Sequence, residues 1–586
     1  MRNARAIPYF VLIGMLLPTA VLVPLLPGDV AACEYWVAPA GDDGNPGTAA
    51  APWATLVHAS EVVPDNYCTI WVEDGEYAGA VRINRRFTTP TLFRAVHPYR
   101  AVFHRDGLVL SLSGATNVTM DGFVFRHSSL AALPLVVQVD GSAAGYGEYI
   151  TLRNNIFHDS YNNDLLKIVS GARHVLVEGN VFYNQGPTDE HIDVNSVTDV
   201  VIQDNIFFND YGGSGRENPA TSHSYITIKD SDEGADGLLG SERITVRRNI
   251  FLNWEGGKET LIQVGNDGKP YHEARDVRVE NNLFIGNSPN NAYAVIGLRG
   301  VRDVVFANNT AVGDFPSSAY ALWIDVKGLN PVNENFLFAN NIWSDPTGSM
   351  GSYFMDTTDN EFSKGDPAYV VGATLDNNLY WNGPAPIPGG DLLLPLVDDA
   401  RALVVDPLLH IYQDGMVLPR WSGEAFLSGN TLIREEFIRL AELYGRPAVG
   451  SPAIGRADPA MAPTDDLLGR TRSATPDLGA YEYRMSLTGS AEETEIRLAW
   501  TPPNEPDAVS LAVTYAAADG APTTITDIPV TDRDLLLTGL IPRTVYTIRL
   551  MVMDAAGGVP AASEPLTLET TGHRWCLPLL IDSLRQ

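Results

Sequence analysis

Asn154-Asn155-Ile156-Phe157, Gly179-Asn180-Val181-Phe182 and Asp204-Asn205-Ile206-Phe207 state one phrase three times, at steps of 25 residues. The phrase returns as Asn249-Ile250-Phe251, Asn281-Asn282-Leu283-Phe284, Asn308-Asn309-Thr310, Asn340-Asn341-Ile342-Trp343 and Asn377-Asn378-Leu379-Tyr380, at steps of 44, 33, 27, 32 and 37 residues. A minimum step with insertions of variable length marks a solenoid, in which each repeat is one turn and extra residues become surface loops. Residues 174–210 show the unit. His174-Val175-Leu176-Val177-Glu178, Val181-Phe182-Tyr183 and His191-Ile192-Asp193-Val194-Asn195 are three short segments that read as strands. Their apolar members point inward and stack on the coils above and below, at a spacing of about 4.8 Å. The recurrent Asn is expected at a tight corner, in the left-handed conformation it tolerates, with its side chains stacked as an amide ladder. That makes it a structural residue.

Bulk charge narrows the partners. With 40 basic and 71 acidic residues the net charge is −31, which disfavours nucleic acid and anionic membrane, since both reward clustered Lys and Arg. Acidic loops suit hard cations such as calcium (Ca2+).

The first 32 residues read as a signal peptide: Arg2 and Arg5, an apolar stretch from Ile7 to Leu26 broken by prolines, then Ala31-Ala32 before Cys33. No integral membrane span is expected in the mature chain. Cys33 has two readings that exclude each other. Cys33 and Cys68 each precede a strand, Tyr35-Trp36-Val37 and Thr69-Ile70-Trp71-Val72, which favours a disulfide if those strands are neighbours. Val30-Ala31-Ala32-Cys33 also resembles a bacterial lipobox, which would place lipid on Cys33.

Residues 33–80 form a capping module: the strand and turn-rich loop Trp36 to Thr48, Pro52-Trp53-Ala54-Thr55-Leu56, and the strand and turn Ile70 to Tyr77. This arrangement resembles the start of exported right-handed parallel β-helix proteins of the pectate-lyase-like class. The resemblance implies an all-β fold with coils over 81–385. Residues 386–485 hold a short amphipathic helix, Arg434 to Tyr444, and Pro476-Asp477-Leu478-Gly479-Ala480-Tyr481-Glu482-Tyr483. They resemble the closing segment of such proteins and are read as final coils and lid. Residues 486–571, with Trp500 and Leu540-Ile541-Pro542-Arg543-Thr544-Val545-Tyr546, resemble a fibronectin type III β-sandwich. The apolar tail 572–586, including Cys576, is too short to span a bilayer and is a candidate for cell-surface attachment.

In the β-helix enzymes this chain resembles, substrate lies along one exposed sheet. If Ile192 and Val194 face in, His191, Asp193 and Asn195 face out. The same logic places Lys229, Gln263, Arg299, Trp323, Asp325 and Lys327 on that ribbon. Trp stacks on sugar faces, and Lys and Arg meet carboxylates. The loop after Lys229 adds Asp230, Asp232, Glu233 and Asp236 as candidate calcium ligands. The expectation is a secreted or surface-displayed protein acting on polysaccharide. As a lyase on uronate glycans it would use Lys229 as base, with Arg299, His191 and Asp193 as further catalytic candidates. Trp323, Asp325, Lys327 and Gln263 would bind substrate. A glycoside hydrolase would need two facing carboxyls, such as Asp193 and Asp230. A non-catalytic binding or adhesion protein is the other reading.

Overall fold

The computed structural model describes residues 33–129, 134–142, 145–351, 361–389, 399–409, 416–501, 508–518, 520–555, 557–559, 561–563 and 565–572. The leader 1–32, Cys576 and the tail beyond 572 lie outside these, so the signal peptide and the surface attachment have no structural counterpart here.

Among the described residues, three parallel sheets of 13, 12 and 10 strands run along one axis. One coil shows the path: Arg173–Glu178 in the first sheet, Val181–Tyr183 in the second, Ile192–Asn195 in the third. Each strand pairs in register with its counterpart one coil on, as Val175 with Val200, Phe182 with Phe207 and Ile192 with Ile226. These coils therefore form a parallel β-helix.

Its interior is stacked by residue type. Phe125, Phe157, Phe182, Phe207, Phe251 and Phe284 form a column with ring centroids 4.6–5.4 Å apart. The Asn residues form the expected ladder. The Nδ2 of Asn155, Asn180, Asn205, Asn249, Asn282, Asn309 and Asn341 each donates to the Oδ1 of the next Asn, at 3.0–3.2 Å. Because every rung donates in the same direction, the last needs an acceptor with no donor of its own. Asp399 supplies it, taking the Asn378 Nδ2 at 2.8 Å and the backbone N–H of Asn377 and Asn378. One detail differs from expectation. The left-handed residue is the one before the ladder Asn: Asn154, Gly179, Asp204, Arg248, Asn281, Asn308, Asn340 and Asn377, with φ of 51–64°. The ladder Asn points inward, and its predecessor turns the corner. This is why Asn-Asn doublets recur.

The N-terminus is closed by helix Leu56–Val62 and by strand Glu34–Val37, which pairs with Thr69–Val72. Cys33 and Cys68 are joined in a disulfide at the head of those strands, so Cys33 is not free to carry lipid.

Residues 399–485 behave differently from the final coils and lid expected of them. They add one short strand, Leu403–Val404, to the second sheet. The described part from 416 on then lies lengthwise over the outer face of that sheet as a strap. Phe426, Ile433, Phe437, Leu440, Leu467 and Leu478 pack on Ile156, Val181, Ile206, Ile250, Leu283, Ile342 and Leu379. The helix runs Ile433–Leu440 and ends in one wider turn, Ala441–Gly445. Polar ties fasten the strap from end to end: Arg420 to Asp210, Arg248 to Asp465, Arg472 to Asn281, Asn308 to the Asp477 carbonyl, and Arg401 to Asp458.

The C-terminal part is an antiparallel β-sandwich. Strands Leu487–Ala491, Glu495–Trp500 and Asp534–Thr538 form one sheet, and Ala508–Ala517, Thr523–Ile528, Val545–Asp554 and Leu566–Glu569 belong to the other. Trp500 is in its core, and the Tyr546 hydroxyl accepts from the Ile541 N–H at 2.9 Å.

Candidate functional site

The third sheet carries two outward rows. In one, Lys167, Asp193, Thr227, Gln263, Gly297, Trp323 and Lys364 are successive partners, one per coil. In the other, Asn195 pairs with Lys229, and further along Arg299 pairs with Asp325. Period-two alternation sends the intervening Ile192, Val194, Ile226, Ile228, Leu298 and Ile324 inward, and all are buried. The structure thus brings Asp193, Lys229, Gln263, Arg299, Trp323 and Asp325 to one face.

Two expected members are placed elsewhere. His191 is inside: its ring lies 4.7 Å from Tyr225 and 6.0 Å from Phe207, with Nε2 on the Asn209 Oδ1 at 3.1 Å. The corner before the strand breaks the alternation, so His191 and Ile192 both enter the core. Burial lowers the imidazole pKa to about 3, keeping it neutral. Lys327 lies past the strand end, in a turn closed by the Asn330 N–H on its carbonyl at 3.0 Å.

Around Asp193 the row holds a compact charge cluster. Lys167 Nζ is 2.6 Å from Asp193 Oδ2 and 3.7 Å from Asp164 Oδ2, and Lys229 Nζ is 3.8 Å from Asp193 Oδ1. Glu190 joins them, its N–H donating to Asp164 Oδ1 at 3.0 Å. Asp164, Glu190 and Asp193 are 0–3% exposed. Burial, with Asp193 nearby, pushes the Glu190 carboxyl up to about 7. Burial together with Glu190 and Asp193 holds Asp164 well above the carboxylate range. For Lys229, burial opposes the charge, but Asp193 and Glu190 outweigh it and keep the ammonium protonated. Lys167 is held the same way by Asp193 and Asp164.

Farther along, Arg299 reaches Asn266 Oδ1 at 3.0 Å and lies 3.7 Å from Asp325. Gln263 spends its amide locally, accepting from Thr260 Oγ1 and donating to the Gly265 carbonyl. Trp323 is half-buried, with Tyr293 against it at 4.6 Å and Lys364 Nζ 5.4 Å from its ring.

The acids of the 230–236 loop are held by its own backbone and one lysine. Asp230 accepts from Asp232 and Gly240, Asp232 from Gly234, Asp236 from Leu238, and Glu233 pairs with Lys269 at 2.9 Å. Among the described residues, three carboxylates converge at Asp164, Asp189 and Glu190 instead, with ligand atoms within 4.8 Å of one another.

Sequence reasoning missed Asp164, Lys167, Glu190 and Tyr293. Lys167 was findable: Leu166-Lys167-Ile168 alternates as Ile192-Asp193-Val194 does, one coil earlier. Tyr293 sits in a loop of no fixed period and left no such trace.

No helix among the described residues is long and apolar enough to cross a membrane. No family model matches the chain. No curated protein matches it. Solved structures do. The FN1–FN3 domains of chicken CNTN1 align at 19% identity over 15% of this chain and 31% of that one, with a TM-score of 0.14, so the chain spans about a third of that protein's length. PfbA, a surface adhesin of Streptococcus pneumoniae, aligns at 13% identity over 56% of this chain and 85% of that one (TM-score 0.36). The complex of XylC with xylose aligns at 10% identity over 77% of this chain and 98% of that one (TM-score 0.41).

Proposed function

We propose that this is an exported or surface-displayed carbohydrate-binding protein that lays an acidic polysaccharide along the outer face of its third sheet. The observation that carries the reading is the partly exposed Trp323, on the same row as Lys167, Asp193 and Lys364, with the loop residue Tyr293 stacked against it. Aromatic faces take the apolar side of a sugar ring, and Lys and Arg take its carboxylates. Lys229 and Arg299 act as fixed cations. A lyase base must be neutral, and the buried carboxylates keep Lys229 charged, which moves it from the base role to charge neutralisation. A hydrolase draws support from Glu190, a carboxyl protonated near neutrality close to Asp193. Calcium is the alternative occupant, at Asp164, Asp189 and Glu190, where oxygen donors converge; it would have to displace the protons of Asp164 and Glu190 and compete with Lys167, 3.7 Å from Asp164 Oδ2. The sandwich is assigned the fibronectin type III kind, a spacer; Trp500 in its core and the Tyr546 hydroxyl on the Ile541 amide support this. The leader 1–32 and the tail 572–586 keep their roles in export and surface attachment.

The test is affinity electrophoresis of the mature chain on polygalacturonate, alginate and xylan, with absorbance at about 232 nm and reducing ends read in parallel for lyase and hydrolase products. We expect salt-sensitive retention on an acidic glycan, weakened about tenfold, or roughly 1.4 kcal/mol, by Trp323→Ala. Retention on none of the three, or an unaffected Trp323→Ala, overturns the reading.

A further inference from the structure

The first strand of each sheet has one long edge with no coil beneath it, and the cap treats the three edges differently. In the first sheet the edge of Glu34–Val37 is taken by the loop 47–53. The Trp36 N–H donates to the Gly47 carbonyl at 2.8 Å, and the Trp53 and Ala38 N–H groups donate to the Trp36 and Trp53 carbonyls at 2.9 Å. In the third sheet, helix Leu56–Val62 packs on Val81–Arg82. In the second, strand Gly75–Ala78 pairs with Ala101–Arg105 on one side alone. Gly75 and Gly79 donate to the Arg100 and His104 carbonyls, so alternation turns the N–H and C=O of Glu76 and Ala78 the other way. Both residues are exposed.

A groove of about 240 Å³ runs along that edge, with residues 54–57 as its far wall. Its lining includes Tyr77 and Phe103. Tyr77 begins the aromatic column: its ring stacks on Phe103 at 4.8 Å, and among the described residues no ring stacks on its other face. Nothing lies within 4 Å of the place a Cβ on Gly79 would take, so the groove is open at that end. One more β-strand would complete both the bare edge and the half-covered ring.

The chemistry of that strand follows from the rows it would extend. Pairing parallel, as its neighbours do, it sets one residue beside Glu76, the next on Tyr77 and the third beside Ala78. Glu73-Asp74-Gly75-Glu76 holds three acids, against His97 on Asp74 and His104 and Arg126 on Glu76. The Glu76 side chain is still 58% exposed, which favours a basic residue beside it. Tyr77 favours an aromatic ring, and Ala78 a small side chain. Arg574-Trp575-Cys576, in the tail past the sandwich, carries that order. Trp575 is three residues past Gly572, a reach of about 10 Å. Gly572 lies against Arg543 in the sandwich, which makes no hydrogen bond or ion pair with residues 33–105 among the described residues. The donor is therefore a second copy.

We infer that the tail of a second copy docks in this groove as an added strand, with Arg574 beside Glu76, Trp575 on the Tyr77 ring and Cys576 beside Ala78. The contact is heterologous, so copies join head to tail into open chains. It does not depend on the carbohydrate reading.

Sedimentation of the full mature chain tests it, with Cys576→Ser throughout to exclude disulfide-linked dimers. The parent should associate as concentration rises, and a synthetic peptide of residues 572–586 with the same serine should dissociate it. Ala78→Pro removes an edge N–H that no strand of the fold uses, so it should keep the parent's melting temperature and sediment as a monomer. Glu76→Arg and Arg574→Glu should each weaken association about tenfold, and together restore it. The charge swap decides the matter should the proline variant unfold. A parent that is monomeric at every concentration overturns the inference. So does association that the peptide leaves intact, a folded Ala78→Pro that still associates, or a double variant no better than its parts.

Discussion

Glu190 is 3% exposed and sits against Asp164 and Asp193, so its proton costs less to keep than to lose. Its pKa is about 7 in the fold against 4.5 for the ordinary side chain. An acid whose pKa rises on folding binds more protons in the native than in the unfolded state between those values. Stability therefore falls as pH rises from about 4.5 and levels off above about 7. The full linkage is on the order of 3 kcal/mol, at 1.36 kcal/mol per pKa unit. Glu190→Gln mimics the protonated acid. Its melting temperature should change less than the parent's between pH 5 and 8.5, and at pH 8 it should be the more stable by about 1–2 kcal/mol. Parallel melting curves for parent and variant across that range would refute the proton assignment. Neither Glu190 nor Asp164 stood out from the strand pattern. Glu190 precedes a corner, and Asp164 lies just before the strand Leu166–Val169. Their importance comes from burial beside one another and Asp193, which periodicity does not report.

At the scale of elements, the ladder was legible because its cause is local. One Asn per coil needs one partner above and one below, and the repeat in the sequence is that requirement written out. Asn249 shows its weight. Its Oδ1 accepts from the N–H and Nδ2 of Asn205, and its own Nδ2 donates to the Ile202 carbonyl and to Asn282. Asn249→Leu keeps the volume and strands the Asn205 N–H in a dry corner. Urea unfolding should show a loss of about 3–5 kcal/mol, above the usual cost of a surface substitution. The strap was not legible as a strap, since residues 416–485 have no repeat of their own. Yet its footprint was present. In Ile206-Phe207-Phe208 every residue is apolar, and Val181-Phe182-Tyr183 offers only a tyrosine hydroxyl, with no charged or amide side chain left to face water. A strand apolar on both faces is covered on both faces. The phrase that revealed the coil also implied a cover for its outer face, and Ile156, Val181, Ile206 and Ile250 are the residues covered.

For the molecule as a whole, the strap changes how a repeat protein should come apart. Coils that touch only their neighbours unfold as a chain of nearly independent units, fraying from the ends. Here the Cys33–Cys68 bridge holds the first coil, Asp399 closes the ladder at the last, and the strap ties coils between. Arg248 joins Asp204 to Asp465, and Arg472 joins Asn281 to Glu482 at 3.0 Å while donating to the Gly479 and Ala480 carbonyls. Both arginines are buried, so removing one leaves unpaired acids in a poorly solvated seam, at a cost of about 3–5 kcal/mol where the pair is fully buried. The parent β-helix should accordingly unfold in one transition, with hydrogen exchange in its outermost coils close to that of the middle. In the double variant Arg248→Met and Arg472→Met the strap should release first. Amides of 433–440 would then exchange ahead of the coils, and the urea transition would split into strap and rod. A parent that already frays coil by coil, or a double variant that still unfolds in a single step with uniform exchange, would show that nearest-neighbour stacking alone sets the cooperativity and that the strap merely covers an apolar face.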